Sequence, residues 1–336
     1  MNELQKKTKA LGLCSGGLDS ILAGLVLAGQ NIDVLWVSFE TPFFNAGKAR
    51  AASEKTGIPL IVRDITDRYI PMLTDPPAGF GQHMNPCMDC HALMFRIAGE
   101  MMAETGADFL FSGEVLGQRP MSQVRSSLRY VEKRSGFDGY ILRPLSAKKL
   151  PETIMEKSGI VDRDRLLDFS GRSRKPQMAL AESLGIEDYP APAGGCLLTD
   201  PGFSGRLADL FRRVGRPSRR ELELLKYGRH LSLSPDVKLI VGRNRSENHK
   251  ILTFFDPETD TRIKLRSVAG PVGVIPNSEA VGIVEQAAGI CAGYSKAEPE
   301  QPVDTEVKLP GRSAGVITVI PVNPENTSEL MIKTCR

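Results

Sequence analysis

The sequence is poor in cysteine, with six in 336 residues. They are too few and too irregularly spaced for the disulfide scaffold of a small secreted domain. No stretch reaches the 18 or so uninterrupted apolar residues of a membrane span. The N-terminal "MNELQKKTKALGLC" carries lysines ahead of apolar residues, as a secretory signal does. The apolar run is then broken by "SGGLDS", and no small-x-small cleavage site follows cleanly, so a cytoplasmic protein with no membrane partner is expected. Charge of one sign is also lacking: a net +3 is not that of a polycation. There is no internal repeat and no low-complexity segment. What is present is ordinary for a soluble protein, 41% hydrophobic and 25% charged, and long enough for two domains.

Residues 9–38 read as a βαβ start. "KALGLC" is a short apolar strand, "SGGLDS" a glycine-rich turn, "SILAGLVLAG" a helix ending at Gly29, and "IDVLWVSF" a buried strand. "KARAASEKTG" then reads as a helix, "IPLIVRDI" as a strand, "HALMFRIAGEMMAETG" as an amphipathic helix and "ADFLFSG" as a strand. Such alternation predicts an α/β domain with a doubly wound parallel sheet, whose ligands bind at the C-terminal ends of the strands. "SGGLDS" and "SGEVLGQRP" both fall there. This domain is expected over 1–204, followed by a basic helical connector over 205–234. A smaller α+β domain over 235–336 has strands in "DVKLIVGRN", "HKILTFF", "TRIKLRS", "TEVKLPG" and "GVITVIPV", and a helix in "SEAVGIVEQAAGICAGY".

Ser15-Gly16-Gly17-Leu18-Asp19-Ser20 joins a strand to a helix N-terminus. Adjacent glycines let the backbone approach an anion, and the helix start favours a phosphate there. No Lys follows in the G-K-[ST] pattern, so this is not a Walker A loop. The arrangement suits chemistry at an α-phosphate with pyrophosphate leaving. Farther on, "NPCMDCHALMF" contains Cys87-Met88-Asp89-Cys90-His91, a C-x-x-C-H string with the spacing of c-type haem attachment. A cytoplasmic setting disfavours that reading. A third thiol, Cys196, sits in the glycine-rich "APAGGCLLTD". Three cysteines fit a structural zinc, an unligated redox or persulfide trio, or an iron–sulfur cluster one ligand short of the usual four, whose open iron could carry a sulfide. His91 is a candidate fourth ligand or simply a helix start. Cys14 and Cys291 read as core residues, and Cys335 as idle near the end of the sequence.

The string "LGLCSGGLDS" resembles the pyrophosphatase loop of the PP-loop (N-type) ATP pyrophosphatases. These include tRNA thiolation enzymes, GMP, NAD and asparagine synthetases, and argininosuccinate synthetase. "NPCMDCHALMF", "GADFLFSGEVLGQRP", "ILRPLS" and "RKPQMALAESLGI" resemble the catalytic domains of the tRNA thiouridine synthase branch, over about residues 8–200. The resemblance implies a doubly wound α/β fold that adenylates a carbonyl oxygen with ATP and Mg²⁺. By it Ser15, Gly16, Gly17, Asp19 and Ser20 bind ATP, with Asp19 supporting metal or phosphate, and Gly113 and Glu114 complete the nucleotide site. Cys87, Cys90 and Cys196 become the catalytic sulfur site, holding a [4Fe-4S] cluster or handling a persulfide. The expected partners are tRNA and a sulfur donor, either sulfide or a cysteine desulfurase, and a homodimer is compatible with the resemblance. The N-terminal tRNA-docking module and the rhodanese domain known in some members are not seen.

Residues 205–250 hold twelve Lys and Arg against five acids, and "RPMSQVRSSLRYVEKRSGFDGYILR" is a second basic stretch. Arg-rich surfaces position a nucleic acid by its phosphates. "GRHLSLSPDVKLIVGRNRSENHKI" resembles the NFACT-R type of RNA-binding domain, which would supply a tRNA-docking module. Arg119 and Arg143, at strand ends, are candidate phosphate or tRNA contacts. The leading expectation is an ATP-dependent tRNA uridine sulfurtransferase making 2-thio- or 4-thiouridine. Its rivals are a PP-loop enzyme acting on a small molecule, by sulfur insertion or amide formation, and a non-enzymatic RNA-binding adaptor with a structural zinc. No glutaminase-type region is visible, which counts against amidotransfer.

Overall fold

The computed structural model describes residues 7–189, 191, 196–280 and 282–334. Cys335 and part of the glycine-rich loop before Cys196 lie outside the described residues. The chain divides into two units, 1–197 and 198–336.

The first unit is built on a parallel sheet of five strands in the order β3-β2-β1-β4-β5. They are β1 (Lys9–Leu13), β2 (Asp33–Glu40), β3 (Leu60–Asp64), β4 (Phe109–Ser112) and β5 (Ile141–Leu142). The helices are α1 (Leu18–Ala28), α2 (Gly47–Thr56), α3 (Thr66–Thr74), α4 (Cys87–Glu100), α5 (Met102–Thr105), α6 (Arg125–Ser135), α7 (Ile154–Lys157) and α8 (Lys175–Ser183). The central strands are apolar at consecutive positions because both faces are covered. On one face Ala10, Val34, Trp36, Phe109 and Phe111 join Leu18, Ile21 and Leu22 of α1 in one core. Their sequence neighbours Leu11, Leu35, Val37 and Leu110 are equally buried and, by the strand's two-residue period, point the other way. The doubly wound expectation holds.

In the second unit six strands form a sheet in the order β11-β10-β8-β9-β7-β6. They are β6 (Arg229–Ser232), β7 (Lys238–Val241), β8 (Thr261–Leu265), β9 (Val272–Ile275), β10 (Val303–Lys308) and β11 (Gly315–Val319), and every pairing is antiparallel. The helices are α9 (Pro201–Val214), α10 (Arg219–Leu224), α11 (Arg245–Thr253) and α12 (Val284–Gly293). α12 packs Ala287, Ala288, Ile290 and Cys291 into the core with Ile263 and Val241. Ile251 of α11 packs with Ile240, Val272 and Val274.

Two segments differ from the sequence expectation. "HKILTFF" lies largely in α11 rather than in a strand, because Asn244 caps a helix there: its Oδ1 accepts the Glu247 N–H at 3.0 Å. The basic residues 205–234 are no separate connector. Asp200 caps α9 by accepting from Phe203 N at 2.6 Å, Ser218 and Glu221 form a capping box on α10, and Arg229–Ser232 is the sheet's own edge strand. Among the described residues, no helix is long and apolar enough to cross a membrane.

Candidate active site

β1 has β2 on one side and β4 on the other, so the strand order reverses between β1 and β4. The segments leaving their C-terminal ends flank the crevice in which doubly wound folds bind ligands. Gly16, in the turn after β1, has φ +71°, and a Cβ there would stand 2.2 Å from the Lys48 carbonyl carbon in the first turn of α2. Both the left-handed backbone and this close approach require glycine. Gly17 is the extended N-cap of α1 and Ser15 stays exposed at the mouth. The Ser20 hydroxyl faces inward and donates to Gly17 O at 2.8 Å. The start of α1 is therefore aimed into the crevice with its dipole favouring an anion.

Asp19, in the first turn of α1, accepts from Gln118 Nε2 at 2.8 Å through Oδ2. Its Oδ1 is buried and has no hydrogen-bond partner among the described residues. Burial raises the Asp19 pKa, opposed by the Gln118 hydrogen bond, by the nearby charges of Arg174 and Arg119, and by the Gln177 amide. Gly113 acts by packing: a Cβ there would lie 2.4 Å from the Asp19 carbonyl carbon and 2.5 Å from Ser20 N. The "SGE" turn after β4 thus rests directly on the first turn of α1.

Cys87 and Cys90 open α4, three residues apart on one side of its first turn. Asp89 between them is 3% exposed and fastens this turn in place, accepting from Ala78 N at 2.8 Å and from the Tyr130 hydroxyl at 2.7 Å. Cys87 donates to Asn85 Oδ1 at 3.1 Å. Cys90 is buried near Tyr69, which is itself fully buried against Phe43 and Phe44 of the loop after β2. Cys196 is half-buried, with Sγ 4.0 Å from the Phe43 carbonyl oxygen. Cys87, Cys90 and Cys196 all lie within electrostatic range of Tyr69. A helix N-terminus ordinarily lowers a thiol pKa, but here burial dominates and raises Cys87, and Cys90 much further. Among the described residues no group of three or more His, Cys, Asp or Glu side chains is arranged to hold a single metal ion.

Sequence reasoning missed an ion-pair network behind this helix. Glu114 is 6% exposed and accepts from His91 Nδ1 at 2.9 Å, Arg143 Nε at 3.0 Å and Ser112 Oγ at 3.1 Å. Burial alone would raise its pKa, but Arg143 and His91 overcome that and hold it at about 2. Arg143 is buried and also pairs with Glu132. Glu114 and Arg143 are therefore buried in this network with His91 half-buried at its edge, and Arg143 Nη2 has no hydrogen-bond partner among the described residues. Arg119 is exposed at the crevice, and its charge lowers the pKa of both Asp19 and Cys87. No local pattern marks Glu114 as structural; its partners meet only through the sheet.

In the second unit the basic stretch is partly neutralised from within. Arg213 and Lys238 face the 3%-exposed Asp209, Arg220 binds Asp260, Lys226 binds Glu223 and Arg243 binds Glu247. Arg212, Arg216, Arg219, Arg245 and Lys250 keep exposed side chains.

Residues 228–331 match the family model described as the NFACT protein RNA binding domain. The chain is 26% identical over 225 residues to the tRNA-specific 2-thiouridylase MnmA of Cutibacterium acnes, which is 60% of this chain and 57% of that protein. It is 24% identical over 293 residues to the MnmA of Methylobacterium radiotolerans, 81% of this chain and 71% of that one. It thus spans a little over half the length of the first of these relatives. A solved 4-thiouridine synthetase–RNA complex with bound ATP is similar over 53% of this chain and 52% of its own, with 22% identity and a TM-score of 0.34. The sequence relatives bear out the resemblance to the PP-loop tRNA thiolation enzymes, and the family model bears out the resemblance to the NFACT-R domain.

Proposed function

We propose that this relative of the PP-loop tRNA thiolation enzymes is an ATP-dependent tRNA uridine sulfurtransferase. The observation that carries the reading is the glycine-rich loop at the start of α1 in a chain similar to two tRNA-specific 2-thiouridylases. The loop at the start of α1 and the thiol at the start of α4 both lie within electrostatic reach of Arg119. ATP places its phosphates at the N-terminus of α1, where Gly16 and Gly17 allow close approach. Asp19, whose Oδ1 has no hydrogen-bond partner among the described residues, is the residue that would hold Mg²⁺. The carbonyl oxygen of a tRNA uridine attacks the α-phosphorus, the bond to the pyrophosphate oxygen breaks, and the base is adenylated. Arg119 offsets the negative charge that builds up there. A sulfur nucleophile from the cysteine site then adds to the activated carbon, the C–O bond breaks and AMP leaves with the former carbonyl oxygen. The NFACT-type unit docks the RNA through its exposed arginines.

Cys87, Cys90 and Cys196 are the residues that would hold a [4Fe-4S] cluster, which when bound supplies an open iron for sulfide. The donor set fits. A cluster attaches each thiolate to a different iron, so the three need not converge on one ion. Sulfide or a cysteine desulfurase supplies the sulfur. The test is mass spectrometry of tRNA nucleosides from a strain lacking this gene, complemented with the parent, Cys87→Ala or Cys196→Ala. One thiouridine should vanish, return with the parent and stay absent with either variant, and its identity gives the position of the sulfur. An unchanged nucleoside profile in the deletion strain would refute the reading.

A further inference from the structure

A chain of two amides behind Asp19 has no part in the chemistry above. Gln177, on the first turn of α8, is 0% exposed and donates from Nε2 to Gln118 Oε1 at 3.1 Å. Gln118 in turn donates from Nε2 to Asp19 Oδ2 at 2.8 Å. The polarity of this chain is dictated by its end. An ionised carboxylate can only accept, so Gln118 must turn its nitrogen to Asp19, and its oxygen then needs a donor, which Gln177 supplies. Two buried acceptors remain without a hydrogen-bond partner among the described residues: Gln177 Oε1 at one end and Asp19 Oδ1 at the other.

Arg119 and Arg174 lie near enough for their charges to act on Asp19, yet the carboxylate is tied to an uncharged amide. A carboxylate released from Gln118 would turn toward one of these arginines and be neutralised. We infer that Gln118 and Gln177 are positioning residues: they hold Oδ2 so that Oδ1 stays directed at the cation accompanying the ATP phosphates. This rests on the nucleotide reading given under Proposed function. Neither glutamine touches the reacting atoms; both act through Asp19.

The inference separates metal-dependent from metal-independent nucleotide binding. In the full-length protein, Gln118→Met and Gln177→Met keep side-chain length and remove the hydrogen bonds. Calorimetric titration with MgATP should show the dissociation constant rising about tenfold for Q177M and more for Q118M, the loss expected when a hydrogen bond to a charged group is removed. Titration with ATP in EDTA should give parent-like values for both. Electron paramagnetic resonance of Mn²⁺ with ATP should show the same loss of metal affinity. Should Q118M fail to fold, Q177M, whose amide reaches both Gln118 and the Asp19 carboxylate, carries the test alone. Equal weakening with and without metal would reduce the two glutamines to packing and overturn the inference, as would parent-like MgATP affinity in a folded Q177M. If the parent itself binds no MgATP, the nucleotide reading falls and the relay with it.

Discussion

Replacing Glu114 by Gln should cost the first unit ~3 kcal/mol of stability at neutral pH, with a pH signature that identifies the cause. The Glu114 carboxyl is held at about 2 against an ordinary 4.5, and that gap corresponds to ~3 kcal/mol of preference for the ionised form in the folded state. Side-chain exposures of 7% for Glu114 and 1% for Arg143 mean that solvent screens the pair little. Breaking a buried pair from one side typically costs about 3–5 kcal/mol, which agrees. Because the folded pKa is depressed, the stabilisation is complete above pH 4.5 and is lost as pH falls toward 2. The difference between parent and E114Q should therefore be present at pH 5 and close as the pH falls below 4.5. Trp36 makes the assay specific: it is the only tryptophan, fully buried in the first unit, so its fluorescence in urea follows that unit alone. A difference below ~1 kcal/mol at pH 7, or one that persists unchanged at pH 3, would show that the network does not hold Glu114 as described.

Gly113→Ala inserts a methyl group 2.4 Å from the Asp19 backbone, so the first turn of α1 must shift; ATP affinity measured by calorimetry should fall at least tenfold while the Trp36 melt moves by only a few degrees. Asp260 is 0% exposed and accepts from both Arg220 guanidinium nitrogens and from the backbone N–H groups of Asn277 and Asp256; Asp260→Ala should destabilise the second unit by about 3–5 kcal/mol in calorimetry and leave the Trp36 transition in place. In metal-free protein at pH 8, iodoacetamide followed by mass spectrometry should modify half-buried Cys87 and Cys196 well before buried Cys90 and Cys291. Burial raises the Cys90 and Cys291 pKa values, so their labelling should grow with rising pH.

The nucleotide loop was legible in the sequence because its chemistry is local. Glycines, a cap and a strand-to-helix switch lie within six residues, and the structure puts Gly16 in the left-handed conformation that only such a residue takes up readily. The parallel sheet was legible from consecutive apolar residues, as in "DVLWVSFE", whose alternate members face two different layers. "HKILTFF" misled because four apolar residues in seven fit either period, and the deciding signal was the Asn244 cap just outside it. The partners of Glu114, Arg143 and Gln177 could not be read because most lie 11 to 59 residues away in the sequence. Reading Arg143 as a surface contact assumed that a charged residue at a strand end meets solvent, whereas Glu114 and Glu132 offset the cost of burying it.

Adenylation of the uridine oxygen followed by its replacement with sulfur can be followed by isotope transfer. Parent protein reconstituted anaerobically with iron and sulfide is incubated with ATP and a tRNA carrying ¹⁸O at the target uridine carbonyl. Thiouridine should form in the tRNA and one ¹⁸O should appear in the AMP released, both absent with Cys196→Ala. Thiouridine formed with unlabelled AMP, or ATP turnover to ADP that ignores added tRNA, would contradict this sequence of steps.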